Sequence, residues 1–331
     1  MNKIGITTTV PIEVLLAAGC QPVDLNNIFI SDPDPEHLIR IAEKDGFPVN
    51  CCGWIKGIYG VCMEYDVDTV MCVTNGDCSN TVMLMEVLKY KGLKTIPFAY
   101  PEQPDEVQMQ KTLIGLARTL GTTIEAAEEV RKQLEPCHRL VDKLDTLTWR
   151  GNKVSGYENH LWLVSASDFN GDPAEYHRQL QTLVDEAEKR KACSEKTLRL
   201  AYIGVPSIYG KDMYRFIENN GARVVYNEVQ RQFAMTQPAK SLAEQYSTYT
   251  YPYSIYRRVD DIAKEIQKRQ IDGIIHYVQA FCYRGIGGII FNNIFKLPML
   301  TLEGNDNFFL NQHIRTRIEA FIDMLERSRS K

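Results

Sequence analysis

The sequence carries one structural template twice. VDTVMCVTNGDCSNTVMLMEVLKYKGLKTIPFAYPE (67–102) and IDGIIHYVQAFCYRGIGGIIFNNIFKLPMLTLEGND (271–306) each run from an acidic residue through an apolar strand, a cysteine and a helical stretch to a strand containing proline. Asp68 stands ten residues before Cys78, and Asp272 stands ten before Cys282. The upstream segments GITTTVPIEVLLAAGCQPVDLN and YIGVPSIYGKDMYRFIENNGARVVYNEV also share an order: strand, Val-Pro loop, helix, glycine, strand. Parallel neighbours need a crossover, and a helix supplies it, so this order predicts parallel sheets. The expected fold is α/β, with two similar open parallel-sheet (flavodoxin- or Rossmann-like) domains.

Between the copies the texture changes. EVQMQKTLIGLARTLGTTIEAAEEVRKQLEPCHRLVDKLDTL and PAEYHRQLQTLVDEAEKRKA space their apolar residues as helices do, with charges between them. The expected organisation is a first α/β domain over 1–104, a helical middle segment over 105–195 and a second α/β domain over 196–331. A net charge of -4 without a long basic block argues against nucleic acid as a partner. The chain has no run of ~18 apolar residues, and MNKIGITTTVPIEVLLAAG lacks the build of a secretory leader. A soluble cytoplasmic protein that does not engage a membrane is expected.

Nine cysteines in such a setting argue against a disulfide framework and leave ligands, reactive thiols or packing thiols. In an open parallel sheet, ligands bind where loops leave the carboxyl ends of strands. Cys78 and Cys282 belong to such loops and precede helices, whose N–H groups and dipole favour a thiolate. Both are therefore expected as anions. The Cys51-Cys52 loop, after Pro48 and before IKGIYGVCMEY, belongs to the same rim, and Tyr253 and Ser254 hold the corresponding place in the second copy. Thiols from separate loops suit an iron–sulfur cluster, and three ligands leave one iron open. A zinc site would advertise Cys-x-x-Cys pairs, and the chain has none. The alternative is that these are buried thiols at strand ends.

TTTVPIEVLLAAGCQPVDLNN, NCCGWIKGIYG, TNGDCSN and VQAFCYR, in that order, resemble the 2-hydroxyacyl-CoA dehydratase family, whose relatives include benzoyl-CoA reductase and double-cubane cluster proteins. The resemblance spans nearly the whole chain. It implies Cys52, Cys78 and Cys282 as ligands of a 4Fe-4S cluster, and an oxygen-sensitive lyase of anaerobic metabolism. It also implies an acyl-CoA substrate, one electron from an ATP-dependent iron–sulfur activator, a ketyl radical and loss of water. A dimer, either of identical chains or with a paralogous subunit, is implied as well. The same resemblance leaves open a reductase with an 8Fe-9S double cubane, for which Cys51 is a spare candidate ligand, and a non-catalytic electron-relay subunit.

The remaining cysteines, Cys20, Cys62, Cys72, Cys137 and Cys193, read as packing. Asn75, Asp77, Tyr283, Arg284, Glu303 and Asn305 fall at strand exits as acid–base candidates or turn formers, and no catalytic residue is chosen among them. His276 reads as a core histidine, and His37, His138, His160, His177 and His313 lack ligand spacing. GIGGII (285–290) reads as close backbone approach to a bulky cofactor. YSTYTYPYSIYRR reads as an exposed loop packing on another subunit, with Arg257 and Arg258 as candidates for CoA phosphates.

Overall fold

The computed structural model describes residues 2–305 and 307–329. Its strands are β1 (Asn2–Ile6), β2 (Cys20–Asp24), β3 (Thr69–Asn75), β4 (Lys94–Ala99), β5 (Leu198–Gly204), β6 (Ala222–Asn227), β7 (Gly273–Gln279) and β8 (Met299–Gly304). They form two four-stranded sheets ordered β2-β1-β3-β4 and β6-β5-β7-β8. Every neighbour pair is parallel. The expected α/β class and the duplication are both present, in the same strand permutation. The acidic residue of the template marks the amino end of the third strand in each copy. There the Asp272 carboxylate accepts from the Arg199 N–H (2.8 Å), and the Asp68 carbonyl accepts from the Lys94 N–H (3.0 Å).

Helices over Glu106–Thr119, Ile124–Trp149, Gly156–Val164 and Pro173–Lys189 fill the middle. Their apolar faces need a partner, and they find it on the first sheet. Ile4, Ile6, Met71 and Val73 share one core with Leu113, Leu134, Val141 and Val184. Residues of the second half enter that core too, including Val229, Leu242, Tyr246, Tyr249, Tyr251 and Tyr253. The tyrosine-rich stretch is therefore not an exposed docking loop. Each of these rings is buried; Tyr246 donates to the Val10 carbonyl (3.0 Å) and Tyr253 to the Tyr246 carbonyl (3.2 Å), whereas the Tyr249 hydroxyl is buried without a hydrogen-bond partner among the described residues. Tyr256, at the end of the stretch, is 60% exposed.

The cysteines expected to pack divide. Cys62, Cys72 and Cys137 are buried and Cys20 is half-buried, whereas Cys193 is exposed in the segment leading to β5. Among the described residues no helix is long and apolar enough to cross a membrane.

The helix Gly53–Glu64 carries Cys52 at its N-cap and lies very close to the helix Pro35–Lys44. A Cβ at Gly60 would sit 2.2 Å from the Leu38 carbonyl oxygen, so only glycine lets the two backbones meet there. This contact fixes where the helix begins, and hence where the Cys52 sulfur lies.

Candidate functional site

Strand order reverses between β1 and β3, and again between β5 and β7, so each sheet has a crevice at the carboxyl ends of those strands. Both crevices open into one cavity of about 570 Å³. Thr7, Thr8 and Thr9 after β1 and Asp77 and Cys78 after β3 line it from the first half. Val205, Pro206 and Ser207 after β5, with Gln279 and Cys282 at the end of β7, line it from the second. Cys52 completes the wall.

All three sequence-predicted thiols therefore face one space, and each begins a turn of helix. Cys52 precedes Gly53–Glu64, Cys78 lies two residues before Asn80–Tyr90, and Cys282 precedes the 3-10 turn Tyr283–Gly287. Backbone N–H groups of Trp54 and Ile55 reach the Cys52 sulfur, and those of Asn80 and Thr81 reach Cys78. These donors favour a thiolate, but burial outweighs them. Cys52 is pushed up to about 12. Cys78 is pushed up to about 11, with the neighbouring Asp77 adding to the shift. The anionic state expected for Cys78 is thus not provided by protein groups alone. A metal centre bound in place of the proton would supply what these groups lack. Charge on Cys282 raises the proton affinity of both other thiols, which places the three within electrostatic reach of one another.

Among the described residues no three Cys, His, Asp or Glu side chains converge as the ligands of a single metal ion. The sulfurs border a space instead of meeting at a point. An all-thiol donor set on separate loops, with backbone N–H groups directed at the sulfurs, fits an inorganic cluster better than one hard cation. Cys51 is half-buried, does not line the cavity and packs beside the apolar cluster around Leu38 and Ile39.

The two cysteine loops are clamped across the halves. Arg284 donates to the carbonyls of Gly76 (3.1 Å) and Tyr251 (3.2 Å) with its guanidinium over the Tyr251 ring, and the Tyr283 hydroxyl donates to the Asp77 carbonyl (2.6 Å). Of the six strand-exit candidates, Asp77 lines the cavity, while Asn75, Tyr283, Arg284, Glu303 and Asn305 do not. The Asn75 amide donates to the Tyr100 carbonyl, and the Glu303 and Asn305 carbonyls accept from Tyr209 and Gln279. In the second half Ser254 caps the helix Ile255–Arg269, occupying the position that Cys52 holds in the first.

The cofactor cradle expected at 285–290 and the Arg258 half of the expected phosphate pair are overturned. A Cβ at Gly285, Gly287 or Gly288 would meet Val278, Ile255 or His276, so these glycines admit neighbouring side chains of their own half and leave no cradle for a cofactor. Arg258 is buried and holds Glu228 through two bonds of 2.8 and 2.9 Å, which removes it from any phosphate.

The cavity also gathers groups that sequence reasoning missed. Asp24, at the end of β2, lines it, and its backbone N–H donates to Asp168 Oδ2 (2.7 Å) while the Ser167 hydroxyl donates to Asp24 Oδ2 (2.6 Å). Burial pushes both carboxyls up, and the charge of Asp24 helps carry Asp168 to about 7. His160 lines the wall with its Nδ1 facing the Gln230 amide nitrogen (2.9 Å), and burial lowers it to about 4, so it is neutral. With Nδ1 accepting from that amide, Nε2 carries the hydrogen.

Paired switch points whose loops enclose thiols and a buried acid pair define a duplicated α/β protein built around one interdomain cleft. The family model for 2-hydroxyglutaryl-CoA dehydratase, D-component, matches residues 7–325, and the chain belongs to that family. Among curated proteins none matches the chain.

Proposed function

We propose that this chain is the iron–sulfur subunit of a 2-hydroxyacyl-CoA dehydratase, with Cys52, Cys78 and Cys282 as the protein ligands of a 4Fe-4S cluster that leaves one iron open. The observation that carries this reading is that three cysteines far apart in sequence, from both copies of the repeat, line one cavity. When bound, such a cluster would supply a low-potential electron and a Lewis-acidic iron.

The chain's own groups divide the remaining work. Asp24, on the wall and with its carboxyl pushed up by burial, is the group placed to give a proton to a departing hydroxyl, which leaves as water. The His160 Nε2–H offers a fixed donor for a substrate oxygen. Trp54, Ile58 and Trp162 supply apolar wall against which a substrate would displace water. The electron donor would be an ATP-dependent iron–sulfur activator, and the working unit a dimer of this chain or a pair with a paralogue. The position of Cys51 away from the cavity wall favours a single cubane over the larger double-cubane cluster.

Anaerobically purified protein is expected to contain about four irons and about four sulfides per chain. Adding a 2-hydroxyacyl-CoA should change the Mössbauer signal of roughly a quarter of that iron. Iron-free protein, or iron indifferent to every thioester offered, would contradict the reading.

A further inference from the structure

Building on that dehydratase reading, we propose that the cleft accepts 2-hydroxyacyl thioesters with an uncharged, apolar acyl chain and rejects dicarboxylic chains, 2-hydroxyglutaryl among them. Ile30, Ile55, Ile58, Leu161, Trp162 and Phe233 supply its apolar wall, and among the described residues no lysine or arginine lines it. Cations of the surrounding protein are already engaged. Arg284 is bound to the carbonyls of Gly76 and Tyr251, Arg258 to Glu228, and Lys56 to Glu43. Lys211 lies over the Tyr157 ring at 5.8 Å and does not line the cavity.

A terminal carboxylate in this cavity would therefore lose its hydration and find no partner. Two buried acids, Asp24 at the wall and Asp168 behind it, behave accordingly. Asp24 and Asp168 are pushed toward their neutral forms by burial, even though Asp24 accepts hydrogen bonds from Ser167 and Asn26 and Asp168 accepts them from Asp24 and Asn170. A guest carboxylate would meet the same desolvation, with no lysine or arginine among the described residues of the wall to pair with it. The neutral His160 cannot offset either cost. A neutral branched or aromatic chain would instead replace water along an apolar wall.

Two tryptophans on the wall, Trp54 and Trp162, allow binding to be followed by fluorescence without turnover, with calorimetry as a second measure. The probes are 2-hydroxyglutaryl-CoA and 2-hydroxy-5-methylhexanoyl-CoA, in which an isopropyl group takes the place of the terminal carboxylate. With the anaerobically purified holoprotein, the neutral thioester is expected to bind roughly 100-fold more tightly. Leu161→Arg, at an exposed position of the wall, should improve binding of the dicarboxylic thioester about tenfold. Equal or tighter binding of the dicarboxylic thioester by the wild type, or no gain in Leu161→Arg, overturns this selectivity while leaving the dehydratase reading standing. Failure of both thioesters to bind overturns the two together.

Discussion

Cys52→Ala, Cys78→Ala and Cys282→Ala, each purified without oxygen, are expected to lose most of their iron and sulfide and at least roughly 10³-fold in dehydratase activity. The three thiols line one cavity and each raises or feels the proton affinity of the others, so they should act as a unit. A cluster left with two protein thiolates has a second iron open to solvent and no further cysteine on the wall to replace the lost ligand. Cys51→Ala is the matched control, one residue from Cys52 but off the wall, and should retain its iron. Iron analysis and activity on the four variants decide the matter. Loss in only one of the three, with the other two unchanged, is incompatible with a shared site.

Arg269→Ala is expected to lower stability by about 3–5 kcal/mol in urea denaturation, because it strands buried charge. The Arg269 side chain is fully buried, paired with Asp145 (2.5 Å) and Glu265 (2.6 Å), and donates to the Val225 carbonyl (2.8 Å). Its guanidinium also lies 4.9 Å from the centre of the Tyr226 ring. The same network reaches the cavity wall. Asp145 accepts from the Asn159 amide (3.0 Å), and Asn159 in turn accepts from Asn227 (2.7 Å). Asn159 is the neighbour of His160, so the ion pairs brace the helix Gly156–Val164 against the second sheet. A change within about 0.5 kcal/mol of the wild type would show that this bracing contributes nothing.

Why some of this was legible in the sequence and some was not follows from contact range. The sheets were readable because each strand is a short apolar run and each crossover has helical spacing, both local properties. Cys78 and Cys282 were readable because the duplication sets each ten residues after an acid that marks the start of a strand. Cys52 needed the resemblance of NCCGWIKGIYG, since the corresponding residue in the other copy is Ser254. The Asp24–Asp168 pair left no such trace. Its members are 144 residues apart, and Asp24 looks like an ordinary helix cap, a role it also fills by accepting from the Asn26 N–H. His160 became a wall residue only because the helical middle folds over the mouth of the sheets. The tyrosine stretch misled for a related reason: rings in a polar, turn-rich segment suggest exposure, yet they complete the core of the opposite half.

Anomalous diffraction at the iron edge from anaerobically grown crystals tests the central proposal most directly. One compact group of iron atoms between the two sheets, within bonding distance of the sulfurs of Cys52, Cys78 and Cys282, is the predicted result. Iron centred elsewhere, or bound while any one of those sulfurs points away from it, would contradict the account.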